Sequence, residues 1–126
     1  MNVSDADKQR RRVVAGQVST ITATMLSALV RDVPDECELE AALMGLAFVS
    51  DETILGWFER VVRPNRDSIE KKDDEVFVSL ASDPNVGVDI SSLFAPIARI
   101  WRKLSPRAQE GVWARVRVIS RLIDGV

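Results

Sequence analysis

Val14, Val18, Ile21, Met25 and Leu29 follow one another by four, three, four and four residues. Apolar residues at that spacing share one face of an α-helix. The segment that carries them, residues 4–32, contains no proline, and Pro34 closes it by biasing Val33 away from helical geometry. Ser4 suits an N-cap, and Asp5 and Asp7 suit the positive end of the helix dipole. The first two turns, DADKQRRR, have no apolar stripe, so residues 1–12 are expected to project or fray. Ser19, Thr20, Thr22 and Thr24 lower local helix propensity, so packing has to hold this helix.

The rest of the chain reads as further helices. The run ECELEAALMGLAFV starts a second from about Asp35, with Leu39, Leu43 and Leu46 facing inward and Cys37 and Phe48 as further inward candidates. Ser50 and Asp51 mark another start, and ILGWFERVV places Ile54 or Leu55, Phe58, Val61 and Val62 at helical spacing. Pro64 and Asn65 break it. Val76, Val78 and Leu80 alternate like a strand, but no second alternating run exists to pair with them. Two short helical pieces and a loop, SDPNVGVD, fit better. Ile90, Leu93, Phe94, Ile97, Ile100, Trp101 and Leu104 form a penultimate helix, in which Pro96 is tolerable only near the first turn. Ser105-Pro106 then reads as N-cap and first helical residue. A final helix runs to about Asp124, with Gly125 past its end.

The expected fold is all-α: one compact domain, residues 1–126, with a long N-terminal helix, a C-terminal helical hairpin and about five to seven helices. A chain of this length buries enough surface to hold without staples. Cys37 is the only cysteine, which favours a reducing compartment over secretion. The charged N-terminus does not resemble a signal peptide. No run of about 18 uninterrupted apolar residues occurs, so no membrane span is expected. The expected location is intracellular and cytoplasmic.

The charge is unevenly placed. Formal charge is +3 over residues 1–31, −8 over 32–75, −2 over 76–98 and +5 over 99–126. Basic ends and an acidic middle point to ends folded against the middle, or to copies packed head to tail.

Catalytic equipment is sparse. There is no histidine, so histidine-based proton shuttles, triads and Cys-His pairs are excluded. Cys37 stands among Asp35, Glu36, Glu38 and Glu40, and neighbouring carboxylates dull a thiol. Asp73, Asp74 and Glu75 read as a solvated helix start rather than a metal site. The glycines are scattered, with no phosphate-cradling motif. No enzyme activity, cofactor or metal is expected.

The second half carries a family likeness. Val62, Pro64, Arg66, Glu75 and Phe77 form a proline-arginine segment followed by an acidic stretch ending in Phe. Asp89, Leu93 and Phe94 form a short second element, and Ser105, Val112 and Trp113 a third. In this order the chain, over roughly residues 55–124, resembles a group of small uncharacterised proteins of nucleocytoplasmic large DNA viruses. It departs from them in lacking the tyrosine after the last tryptophan. The resemblance implies a viral setting, in the host cytoplasm, the virus factory or the virion. It implies no activity.

Two functions follow as expectations. The first is a non-enzymatic helical protein-interaction module that binds a protein partner or itself as a homo-oligomer, with Val14, Val18, Ile21, Met25, Trp57 and Phe58 as candidate interface residues. The alternative is a nucleic-acid-binding accessory protein that uses Arg10, Arg11, Arg12, Arg115, Arg117 and Arg121 as polyanion contacts.

Overall fold

Three serines start three helices, each by the same bond. In the computed structural model, which describes residues 4–77 and 88–126, the Ser4 hydroxyl accepts the Asp7 N–H at 3.1 Å. Ser50 accepts from Thr53 at 3.2 Å and Ser105 from Ala108 at 3.1 Å. Each satisfies a backbone donor that the helix itself cannot pair. The helices are α1 (Asp5–Asp32), α2 (Cys37–Leu46), α3 (Asp51–Val62), α4 (Arg66–Glu70), α5 (Val88–Ile100) and α6 (Pro106–Asp124). A single 3₁₀ turn, Trp101–Lys103, joins α5 to α6. Residues 75–77 are also helical, and no strand occurs among the described residues. The fold is all-α, as the spacing of apolar residues requires.

α1 is the axis. It packs against α2, α3 and α6, while α6 also meets α3 and α4, and α5 rests on α2. Val14, Ala15, Val18, Thr22, Met25, Leu26 and Leu29 are its buried face. The threonines reconcile a polar helix with this role. Thr20, Thr22 and Thr24 each donate to the carbonyl four residues back, at 3.0, 2.8 and 2.9 Å. The buried Thr22 hydroxyl is thereby paired, and its burial costs little.

The α5–α6 end closes on aromatics. Phe77 lies 4.7 Å from Trp101 and 4.9 Å from Trp113, centroid to centroid, and Trp101 meets Trp113 edge-on at 6.0 Å. Phe94 extends the cluster to Phe58 of α3 at 5.8 Å. The two tryptophans of the C-terminal stretch are therefore core residues that join α5 to α6. One continuous apolar cluster runs from Val14 to Ile123.

Several sequence expectations are corrected. Residues 5–12 are regular helix up to the Ser4 cap rather than frayed; residues 4–10 stand exposed, Arg11 is fastened to α3 as described below, and residues 1–3 lie outside the described residues. Pro96 lies well past the first turn of α5, where it is buried; the helix continues despite the ladder bond that proline cannot make. Cys37 and Phe48 face outward. α1 is long and apolar enough, by length and composition, to cross a membrane. Residues 13–30 carry no charge, a property that a search for uninterrupted apolar residues overlooks. In this fold the apolar side of α1 is packed against its neighbours. Val88 and Asp89, expected in the SDPNVGVD loop, already belong to α5; residues 82–87 of that loop, the Val78 and Leu80 positions, and the side chains of Ile90 and Leu93 lie outside the described residues.

α4 ends in a turn that usually takes glycine. Lys72 has φ of 55°, while the Lys72 and Asp73 N–H groups donate to Ile69 and Ser68 at 3.1 and 2.9 Å. This is the Schellman arrangement. The Lys72 ammonium also reaches both Glu110 oxygens on α6, at 3.1 and 2.9 Å, which ties the turn to the bundle. Gly56, in the middle of α3, has open space where a Cβ would stand. Gly56→Ala is expected to raise stability by about 0.5–1 kcal/mol, read as a higher urea midpoint at unchanged slope.

Candidate interaction surface

Among the described residues, four large apolar side chains stand in solvent: Val13, Met44, Phe48 and Val118. They fall on two surfaces. Isolated exposed apolar residues are common; neighbouring ones on built surfaces are more informative.

The first surface is a groove between α1 and α6. Thr20, Ile21 and Thr24 face Gly111, Ala114, Arg115 and Val118 across about 480 Å³. Toward one end the groove continues over Val13, Gln17 and Leu122. Toward the other it passes Ala28, Asp32, Ser105 and Arg107. The two helices are thus antiparallel along its length. Small residues shape the groove: Ala114 leaves room that a larger side chain would fill, and at Gly111 the Arg115 guanidinium takes the space, 3.1 Å from where a Cβ would stand. Arg115 lies along the wall and donates to the Gly111 carbonyl at 3.2 Å.

The second surface is the outer side of α2 and the turn after it. Cys37, Ala41, Met44 and Phe48 are spaced by four, three and four residues, and all are exposed. Met44 is 64% and Phe48 91% exposed. α2 is apolar on both sides because ALMGLAF holds two stripes. Leu39, Leu43 and Leu46 take the core side, and Met44 and Phe48 are left on the other.

The candidate interface residues separate accordingly. Val14, Val18, Met25 and Phe58 are buried within the monomer, so they belong to the core and offer no surface. Ile21 and Trp57 are half-buried against it, and Ile21 lines the groove. Sequence reasoning missed Val13, Met44, Phe48 and Val118. The signal was a second stripe on each helix, behind the stronger one.

The six candidate polyanion arginines do not form one free patch. Arg11 pairs both guanidinium ends with the two Glu59 oxygens and approaches Glu52 at 3.6 Å. Arg10 stands 4.0 Å from Asp7, and Arg117 binds Glu70 at 3.3 Å. Arg115 is turned onto Gly111. Arg12, Arg115 and Arg121 have no ion-pair partner among the described residues. Basic ends folded on an acidic middle account for the Arg11 and Arg117 pairs, and Arg99 likewise bridges Glu36 and Glu38 at 2.9 and 2.6 Å; Arg66 with Asp124 and Lys72 with Glu110 pair the opposite way, base in the middle and acid at the end.

Glu59 is the best-buried member of these pairs. The Arg11 hydrogen bonds, aided by the charges of Arg11 and Arg63, hold its carboxyl below the usual carboxylate range against the opposing effect of burial. A lowered folded pKa contributes stability that is complete above the unfolded value, about 4.3. That stability is lost as pH falls through the folded value. Glu59→Gln is therefore expected to flatten the acid limb of a melting-temperature profile. The effect is about 1 kcal/mol or less, because Arg11 is 42% exposed and solvent screens the pair.

Among the described residues, no group of three or more Cys, Asp or Glu side chains converges to hold a metal ion. The Asp73 carboxylate instead accepts the Glu75 N–H at 3.1 Å, which starts the next helical segment. No family model matches this chain, and no curated protein or solved structure matches it either.

Proposed function

We propose that this protein is a non-enzymatic helical module that works by binding protein, and first of all by associating with itself. One observation carries the reading. A core that otherwise encloses its large apolar side chains leaves an apolar groove on α1/α6 and an apolar ridge on α2 in solvent. Burying such surface on association is favourable at about 25 cal/mol per Å² before association costs. The likeness of residues 55–124 to proteins of large DNA viruses adds a setting: a component of the virus factory or the virion, made in the host cytoplasm.

Association stabilises the folded state by mass action, so the melting temperature of a self-associating protein rises with its concentration. We expect a rise over a hundredfold concentration range; a flat response counts against self-association. Incubation with a labelled DNA duplex tests the rival. Strong binding at low salt that vanishes as salt rises would favour a polyanion partner.

A further inference from the structure

We infer that the α1/α6 groove receives the Met44/Phe48 ridge of α2 from a second copy of this chain, so that copies join head to tail. The inference rests on the self-association reading and names its two surfaces. Within one chain they are separate: α2 packs on α1 and α5, whereas the groove lies where α1 meets α6. A ridge therefore has to come from another molecule.

Charge selects this occupant. On α1, Arg10, Gln17, Thr24 and Arg31 are spaced by sevens, and so are Arg107, Ala114 and Arg121 on α6. Residues seven apart stand two turns along the same helix face. Gln17, Thr24 and Ala114 line the groove. Arginines thus stand on the groove-facing stripes at both ends of each helix, with Arg115 between. The acids nearby are Asp32 at one end of the groove, Asp7 beside Arg10, Asp51 beside Gly16, and Glu110, which Lys72 binds.

The ridge has the opposite character. On α2 and the turn before it stand Asp35, Glu36, Glu38 and Glu40, and no base occurs between Arg31 and Arg60. Arg99 from α5 occupies Glu36 and Glu38. Glu40, one turn before Met44, is exposed with no ion-pair partner among the described residues. An apolar ridge set in acid meets an apolar groove set in arginine.

The same charges disfavour the symmetric alternative. Packing two grooves face to face would set one arginine-bearing stripe against the other, and like charges across an interface disfavour that pairing. Ridge into groove is a heterologous contact. Each added copy leaves one ridge and one groove unfilled, so the assembly closes as a ring or extends as a filament.

Complementation between two variants tests this. Phe48→Asp spoils the ridge and leaves the groove intact; Ala114→Glu blocks the groove and leaves the ridge intact. Both positions are exposed, and circular dichroism confirms that each variant keeps its helicity. By light scattering during size exclusion, each variant alone is expected at the protomer mass of 14.0 kDa, with association weakened at least roughly 10- to 100-fold. Mixed in equal amounts, they are expected to form a species of twice that mass and nothing larger. That pair has one working contact and no free ends.

A mixture that stays at protomer mass, or either variant assembling alone like the wild type, overturns the head-to-tail pairing while self-association stands. A wild type at protomer mass throughout removes self-association, and this inference with it.

Discussion

Trp113→Ala is expected to cost about 3–5 kcal/mol of folding stability. Trp113 is buried on α6 and touches Phe77 and Trp101, so its removal opens the joint between α5 and α6 and strips two aromatic contacts at once. A domain of this size has about 5–15 kcal/mol to lose. The variant should melt about 10–20 °C lower, or populate the unfolded state at room temperature. Chemical denaturation followed by far-UV circular dichroism measures the loss. A change under 1 kcal/mol would mean that the aromatic cluster does not hold this end of the bundle.

Two phenylalanines ten residues apart should behave in opposite ways. Phe58 is enclosed between α3 and α5, edge-on to Phe94, and Phe58→Ala is expected to cost about 3–5 kcal/mol at any protein concentration. Phe48 is 91% exposed. Phe48→Ala should leave the stability of the isolated chain within about 0.5 kcal/mol. Its effect should appear only where copies meet, as a lost dependence of melting temperature on concentration. Measuring both variants at low and high concentration separates core from contact surface. Equal losses for the two would place Phe48 in the core as well.

The same pair shows what the sequence reveals. Helix positions were legible because each apolar stripe repeats at 3.6 residues and each break carries its own chemistry: Ser4, Ser50 and Ser105 as caps, Pro34 and Pro64 as stops. The meeting of Trp101 with Trp113 took the fold to show, because Trp101 lies in the 3₁₀ turn between the two helices. Whether a stripe faces the core or a partner was not legible. Val14, Val18, Met25 and Phe58 repeat at helical spacing, and in this fold those stripes are buried within the monomer. The contact surfaces use weaker signals: a threonine-and-glycine stripe on α1 and α6, and a second apolar side on α2 that the leucines mask. The arginines were misjudged in a related way. Arg11 and Arg117 look free beside their neighbours in sequence, but their partners, Glu59 and Glu70, are brought to them by the fold.

Sedimentation equilibrium of the wild-type protein over a wide concentration range, read at both nucleic-acid and protein wavelengths, addresses self-association most directly. The account predicts a mass above 14.0 kDa that grows with concentration, shrinks as salt rises and carries no nucleic-acid absorbance. A constant 14.0 kDa across the range would contradict it.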